Sequence, residues 1–183
     1  MRRFYGKFKD YRLKKYLKTL TNEELQNEIL NLIKNFKEVK EYYTTKINPE
    51  SEIELLEKYK KIVKNEFLPD RGFGKMRYNL VNKAIADFKK IAKDARNIAD
   101  LMLYYVEVGV EFTNTFGDID EKFYGNIEKA YNKALEQIFE TNLEQEFKER
   151  AAKIMDESSG IGWGFAYNIQ DIYFWYYSDD DEE

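Results

Sequence analysis

Residues 101–112 put an apolar side chain on nearly every face of a helix: Leu101, Met102, Leu103, Tyr104, Tyr105, Val106, Val108, Val110 and Phe112. A helix that is apolar all round must be buried, so a predicted helix over 95–115 is the central element and the rest of the chain has to cover it. Covers need one apolar face each, and the sequence supplies them. Leu13, Leu17 and Leu20 begin a helical pattern, and Leu25, Ile29, Leu32 and Ile33 continue it. Leu55, Leu56, Tyr59, Ile62 and Val63 form another stripe, as do Leu80, Ala84, Ile85, Phe88 and Ile91, and Ile127, Tyr131, Ala134, Leu135 and Ile138. This three-and-four spacing is the signature of amphipathic helices. Gly109 interrupts the buried segment, where a glycine costs about 1 kcal/mol relative to alanine; close approach of another helix there explains it.

Punctuation is sparse. The only prolines are Pro49 and Pro69, and glycines cluster at 72–74 and 160–164. No stretch alternates as a strand would. Helices are expected at 11–18, 22–34, 36–46, 52–67, 77–92, 95–115, 119–140, 143–157 and 164–177. Reciprocal capping pairs are expected at Thr21/Glu24 and Ser51/Glu54, with looser forms at Asp118/Glu121 and Asn142/Gln145. Short connections favour antiparallel neighbours. The expected fold is all-α: a single-domain multi-helix bundle, or a short stack of antiparallel helical hairpins, over residues 1–177, followed by an acidic tail at 178–183. A length of 183 residues fits one domain.

The chain has no Cys and no His. That removes disulfides, thiolate nucleophiles, Cys-bound metals, imidazole bases and His-based zinc or di-iron sites. Chemistry would have to use carboxylates, Lys, Tyr, Ser or an oxygen-held divalent ion, and no cofactor is expected. The N-terminus is charged with no apolar stretch behind it, so no signal peptide is expected. No apolar run exceeds six residues, the length of 101–106, far short of the roughly 18 that span a membrane. A cytoplasmic protein without membrane association is the expectation.

The net charge of −4 conceals an asymmetry. Residues 1–93 carry 23 Lys/Arg against 13 Asp/Glu, a balance of +10, whereas residues 94–183 carry 7 against 21, a balance of −14. Three readings follow: the halves attract each other within one fold, a basic face binds a polyanion, or copies associate head to tail.

Four constellations are candidates for function. Glu107 and Glu111 share a helix face, with Asp118 and Asp120 close behind; together they suggest a divalent-metal site or an acid/base pair. The bland alternative has the glutamates in solvent or paired with Lys, and Asp118 as a helix cap. Arg71, Lys75 and Arg77 flank Phe73 in a predicted loop before a helix, where backbone amides favour anions; Phe73 could stack on a base, and Lys83, Lys89 and Lys90 extend the patch. A charged connector is the plain alternative. The run Gly160, Ile161, Gly162, Trp163, Gly164, Phe165 lacks both a preceding strand and a following Lys-Ser/Thr, so nucleotide-loop readings fail. A tight turn with Trp163 packed inward is expected there, or a small-ligand pocket lined by Trp163 and Phe165. Finally, Tyr173, Phe174, Trp175, Tyr176 and Tyr177 must cover every face of a helix, one face docking on the core and the others open to a partner.

Residues 101–114 (LMLYYVEVGVEFTN) and 116–120 (FGDID) resemble a small bacterial family of unknown function. Residues 13–25 (LKKYLKTLTNEEL), 36–43 (FKEVKEYY), 84–90 (AIADFKK) and 161–165 (IGWGF) are similar to it as well. The resemblance implies a bacterial, single-domain, helical protein and brings no catalytic residues with it. It also implies a His after Trp-Gly-Phe, where this chain has Ala166. The leading functional reading is a non-catalytic interaction module, binding an unknown protein partner or itself. A nucleic-acid or polyanion binder using the basic half is the alternative, and a carboxylate- or metal-dependent enzyme the third.

Overall fold

The computed structural model describes residues 10–178; residues 1–9 and most of the predicted acidic tail, 179–183, lie outside the described residues. Within them the fold is all-α: α1 (Asp10–Leu17), α2 (Asn22–Asn35), α3 (Lys37–Ile47), α4 (Ser51–Phe67), α5 (Tyr78–Ile91), α6 (Ala95–Phe116), α7 (Glu121–Glu140), α8 (Glu144–Glu157) and α9 (Phe165–Tyr177). Each boundary falls within two residues of its predicted place. The capping chemistry is less uniform. Thr21 and Glu24 form the reciprocal box, with bonds of 3.2 and 2.7 Å. Ser51 does not cap α4: its hydroxyl donates backward to the Asn48 carbonyl at 2.6 Å. At α7 the cap is Asp120, which accepts from the Phe123 amide at 2.7 Å, not Asp118. Asn142 sits at φ 54° and closes α7 instead of opening α8, while the Leu143 amide reaches back to the Ile138 carbonyl, a left-handed helix stop.

α6 is buried as its composition demands, and Leu101, Leu103 and Val106 have no exposure. α4, α5, α7 and α8 cover it. α7 comes closest at Gly109, where a Cβ would lie 2.5 Å from Ile127 Cδ1. The main helix–helix contacts all join a helix to the next one or the next but one along the chain. The molecule is therefore a short stack, with α1–α2 at one end and α9 at the other. The N-terminal end departs from the sequence reading. The apolar stripe of α2 was expected in the core, yet α2 contributes no buried residue. α3 is the helix it chiefly packs on among the described residues.

Two glutamates of α4 position the helices that follow. Glu52, at the start of α4 and nearly fully buried, accepts from the Lys93 and Asp94 amides at 3.0 and 3.2 Å and from Asn97 Nδ2 at 2.8 Å. Glu66, near its end, accepts from the Arg77 amide at 3.1 Å and from Arg77 Nε and Nη2 at 3.0 and 2.6 Å. Each places a negative charge at a helix N-terminus, where unpaired amides and the helix dipole favour it. α4 thereby holds the entry to α5 with one end and the entry to α6 with the other.

Tyrosine hydroxyls fasten the helix crossings. Tyr59 donates to Glu41 of α3, Tyr131 to the Ala151 carbonyl of α8, and Tyr177 to the Glu144 carbonyl of α8. Tyr124 meets Thr113 of α6 at 3.0 Å. A tyrosine buries a large apolar ring and keeps one polar atom to place, so each bond fixes the angle of a packed pair. Burial pushes the Tyr131 hydroxyl well above its ordinary range, so it remains a donor. Tyr105 is the exception: its ring lies 5.7 Å from that of Phe67, and its buried hydroxyl has no partner among the described residues. A pair of substitutions separates the two cases. Tyr131→Phe should cost about 1 kcal/mol, whereas Tyr105→Phe should be neutral or stabilising by up to about 1 kcal/mol, since it removes an unsatisfied buried oxygen. Urea midpoints at constant m-value measure both.

Candidate functional site

The loop between α4 and α5 carries the first candidate cluster. It is pinned: the Met76 amide donates to the Glu66 carbonyl at 2.8 Å, and Met76 takes φ 47°. Gly74 lies so close to the end of α4 that a Cβ would stand 2.4 Å from the Phe67 carbonyl oxygen. At its tip Phe73 is 90% exposed. The anion that the start of α5 favours is supplied from within, by Glu66. Arg77 is committed to that carboxylate, and Lys83 and Lys90 both pair with Asp87. Of the six cations in the predicted patch, Arg71, Lys75 and Lys89 are exposed with no ion pair among the described residues.

The four candidate carboxylates are not brought together. Glu107 receives Arg150 in a two-bond fork, Nε at 2.6 Å and Nη2 at 2.8 Å. The same guanidinium donates to Asp100 at 2.6 Å, and Lys60 reaches Asp100 from α4 at 2.8 Å. This network ties α4, α6 and α8 together, a structural use of Glu107 through an arginine that sequence spacing did not suggest. Glu111 lies on the surface beside Phe112 and Phe116. Asp118 accepts from the Tyr124 hydroxyl at 3.4 Å, and Asp120 caps α7. Among the described residues no group of three or more acidic side chains gathers where it could hold a metal ion.

The C-terminal aromatics divide cleanly. Phe165, Tyr173 and Tyr177 enter the core; Tyr176 is half-buried against Phe139, with ring centroids 5.1 Å apart; Phe174 and Trp175 face outward. Tyr167 shares that outer face, seven residues before Phe174, and is 74% exposed. It lies outside the run of five, and its signal in the sequence is the helical spacing that aligns 167 with 174. The turn before α9 corrects an expectation. Trp163 points outward, 62% exposed, and Phe165 is the residue packed inward. The cause is backbone hand: Trp163 takes φ 60° and Gly164 φ 74°. A left-handed tryptophan is strained by about 1–3 kcal/mol, and core burial does not offset that here. The Trp163 ring lies 6.4 Å from Tyr124 at an interplanar angle of 28°.

Fold and surface together define an all-α protein of stacked helices, with no helix among the described residues long and apolar enough to cross a membrane. The chain belongs to a family of unknown function, DUF6155, which it matches over residues 8–176. No curated protein and no solved structure matches it.

The Glu66–Arg77 pair gives the loop a pH dependence of known sign. The hydrogen bonds from Arg77 hold the Glu66 carboxyl below the usual carboxylate range, so the folded state binds its proton less readily than the unfolded chain does. The pair contributes fully above the ordinary glutamate range, and its contribution is lost as pH falls through the depressed value. Glu66→Gln should be less stable than the parent by about 2 kcal/mol at pH 7, and the two proteins should converge as pH falls through the depressed Glu66 value. Urea unfolding across that range measures it.

Proposed function

We propose that this chain is a non-catalytic protein-interaction module whose partner is a further copy of itself, joined head to tail through the two ends of the helical stack. The reading is carried by the uncovered N-terminal end. Leu13 and Leu17 on α1, and Ile29, Leu30 and Leu32 on α2, are all more than a third exposed, as is Phe36 after them. Scattered exposed leucines need no explanation, but a run of them on one terminal helix pair marks a surface that is covered in use. In a stack, the outermost helices need a polar outer face to end the structure, and on α1–α2 these apolar side chains interrupt it.

The opposite end suits it as a partner. α9 presents Tyr167, Phe174 and Trp175, and large aromatics of this kind make good interface anchors. Charge favours the same pairing. Residues 1–20 hold eight Lys/Arg and one Asp, and residues 171–183 hold six Asp/Glu and no Lys/Arg. Opposite potentials steer such an encounter and fix its orientation. A contact between two different surfaces of one chain is heterologous, so it builds rings or filaments instead of stopping at a symmetric dimer.

Sedimentation velocity from about 1 to 200 μM tests this, a range chosen to bracket micromolar affinity. Mass should grow with concentration beyond a dimer and shrink with added salt. Leu17→Glu and Trp175→Glu should each return the protein to monomer with unchanged helical circular dichroism, because both residues are exposed. A mixture of the two variants should form dimers and no larger species, since each keeps one intact end. A monomer throughout the range, or association that both variants leave intact, would overturn the proposal.

A further inference from the structure

A groove between α7 and the turn before α9 carries three features that the stack itself does not explain. It encloses about 470 Å3, within the range of small-ligand pockets. The first feature is Trp163, which forms one wall: an exposed indole kept in a left-handed backbone conformation. Packing into the core does not account for a strained residue whose side chain is mostly in solvent, and strain of this kind concentrates where a side chain must be presented.

The second is Gly125, in the interior of α7 and on the groove lining. Glycine in a helix interior lowers stability relative to alanine. At Gly109 close contact with Ile127 supplies the reason; at Gly125 nothing lies within 4 Å of where a Cβ would stand. A side chain there would project into open space on the same lining as the indole.

The third is the polar lining. Asn168 donates through Nδ2 to Glu128 at 3.0 Å, and Asn126 donates through Nδ2 to the Lys122 carbonyl at 2.6 Å. The carbonyl oxygens of both amides carry no hydrogen bond among the described residues, and Lys129 adds an ammonium donor to the lining. Acceptors and donors thus stand together, and Lys122 and Lys129 balance Glu121 and Glu128 in formal charge.

From this we infer a binding site for a neutral pyranose ring, the terminal or internal sugar of an oligosaccharide. A pyranose has an apolar C–H face suited to the negative face of an indole and a rim of hydroxyls, each able to donate and accept. Paired amide, carboxylate and ammonium groups meet such a rim from both sides. A nucleic-acid base would stack equally well, but it brings phosphates, and the lining, with two Lys against two Glu, offers them no net positive charge. The uncharged ligand is the one the charge permits. Tyr124 behind the indole is held by Thr113, the Ile119 amide and Asp118, so the wall is preformed.

Nitrogen–proton correlation spectra of the full chain read the site directly, because the protein has two tryptophans and therefore two indole signals, assigned with Trp163→Phe. The probes are maltotriose, cellotriose, xylotriose and N-acetylated chitotriose, each to about 10 mM, which detects even millimolar affinity, with a thymidine trinucleotide as control. At least one saccharide should shift the Trp163 indole saturably, together with the Asn126 and Asn168 side-chain amides, and leave Trp175 unmoved. Gly125→Leu should weaken that binding at least tenfold while leaving the unfolding midpoint unchanged or raised, which separates filling the groove from damaging the fold. The inference is overturned if none of the four saccharides moves Trp163, if only the trinucleotide does, or if Gly125→Leu binds as the parent does.

Discussion

The burial of α6 is the constraint on which everything else in this structure depends. A 22-residue helix with apolar side chains on nearly every side of its middle can give little of that middle to solvent, and four other helices lie against it. Hydrophobic burial is not directional and cannot by itself fix where those helices begin. That task falls to carboxylates. Glu52 gathers the amides that open α6 and Glu66 those that open α5, both from the same helix. The Arg150 network then locks α4, α6 and α8 at the level of Asp100 and Glu107. These charges are partly or almost wholly withdrawn from water, and their worth lies in complete pairing: removing one partner would leave an uncompensated charge.

The interior is closed and the ends are open. Because each helix packs chiefly on the next one or the next but one, the fold grows along the chain much as helical repeat proteins do. Such a body has two terminal surfaces that nothing within it requires to be covered. Here one carries the exposed apolar side chains of α1 and α2, the other the exposed aromatics of α9. The charge asymmetry of the sequence therefore bears on the surface more than on internal stability, since exposed ion pairs contribute little individually. Glu107, Glu111, Asp118 and Asp120 do not gather into one site among the described residues.

Much of the fold was legible because helical periodicity is a local property. α4, α5 and α7 follow their apolar stripes, and Gly109 marks the close approach of α7. The same local logic misjudged α2, whose stripe of Leu25, Ile29, Leu32 and Ile33 looks like any core face; a stripe shows that a helix wants a partner, not that the chain supplies one. Caps were half legible. Thr21 and Glu24 satisfied each other within one turn, whereas Glu52 and Glu66 act across 41 and 11 residues, a separation at which no spacing rule operates. Arg77 was expected to await an anion and already holds one. Trp163 was expected inside, and a left-handed backbone turned it outward. Tyr167 lies outside the contiguous run from Tyr173 to Tyr177, and only its seven-residue spacing from Phe174 marks it in the sequence.

Residue-resolved native-state hydrogen exchange tests most directly whether the molecule is a closed core with an uncovered end. Amides of α6, and the Asp94 and Arg77 amides held by Glu52 and Glu66, should exchange only through global unfolding and so share one opening free energy, the highest in the chain. At concentrations low enough to keep copies apart, amides of α1 and α2 should open locally at far lower free energy. Equal protection of α2 and α6 in the isolated chain, or local opening at Asp94 and Arg77, would contradict it.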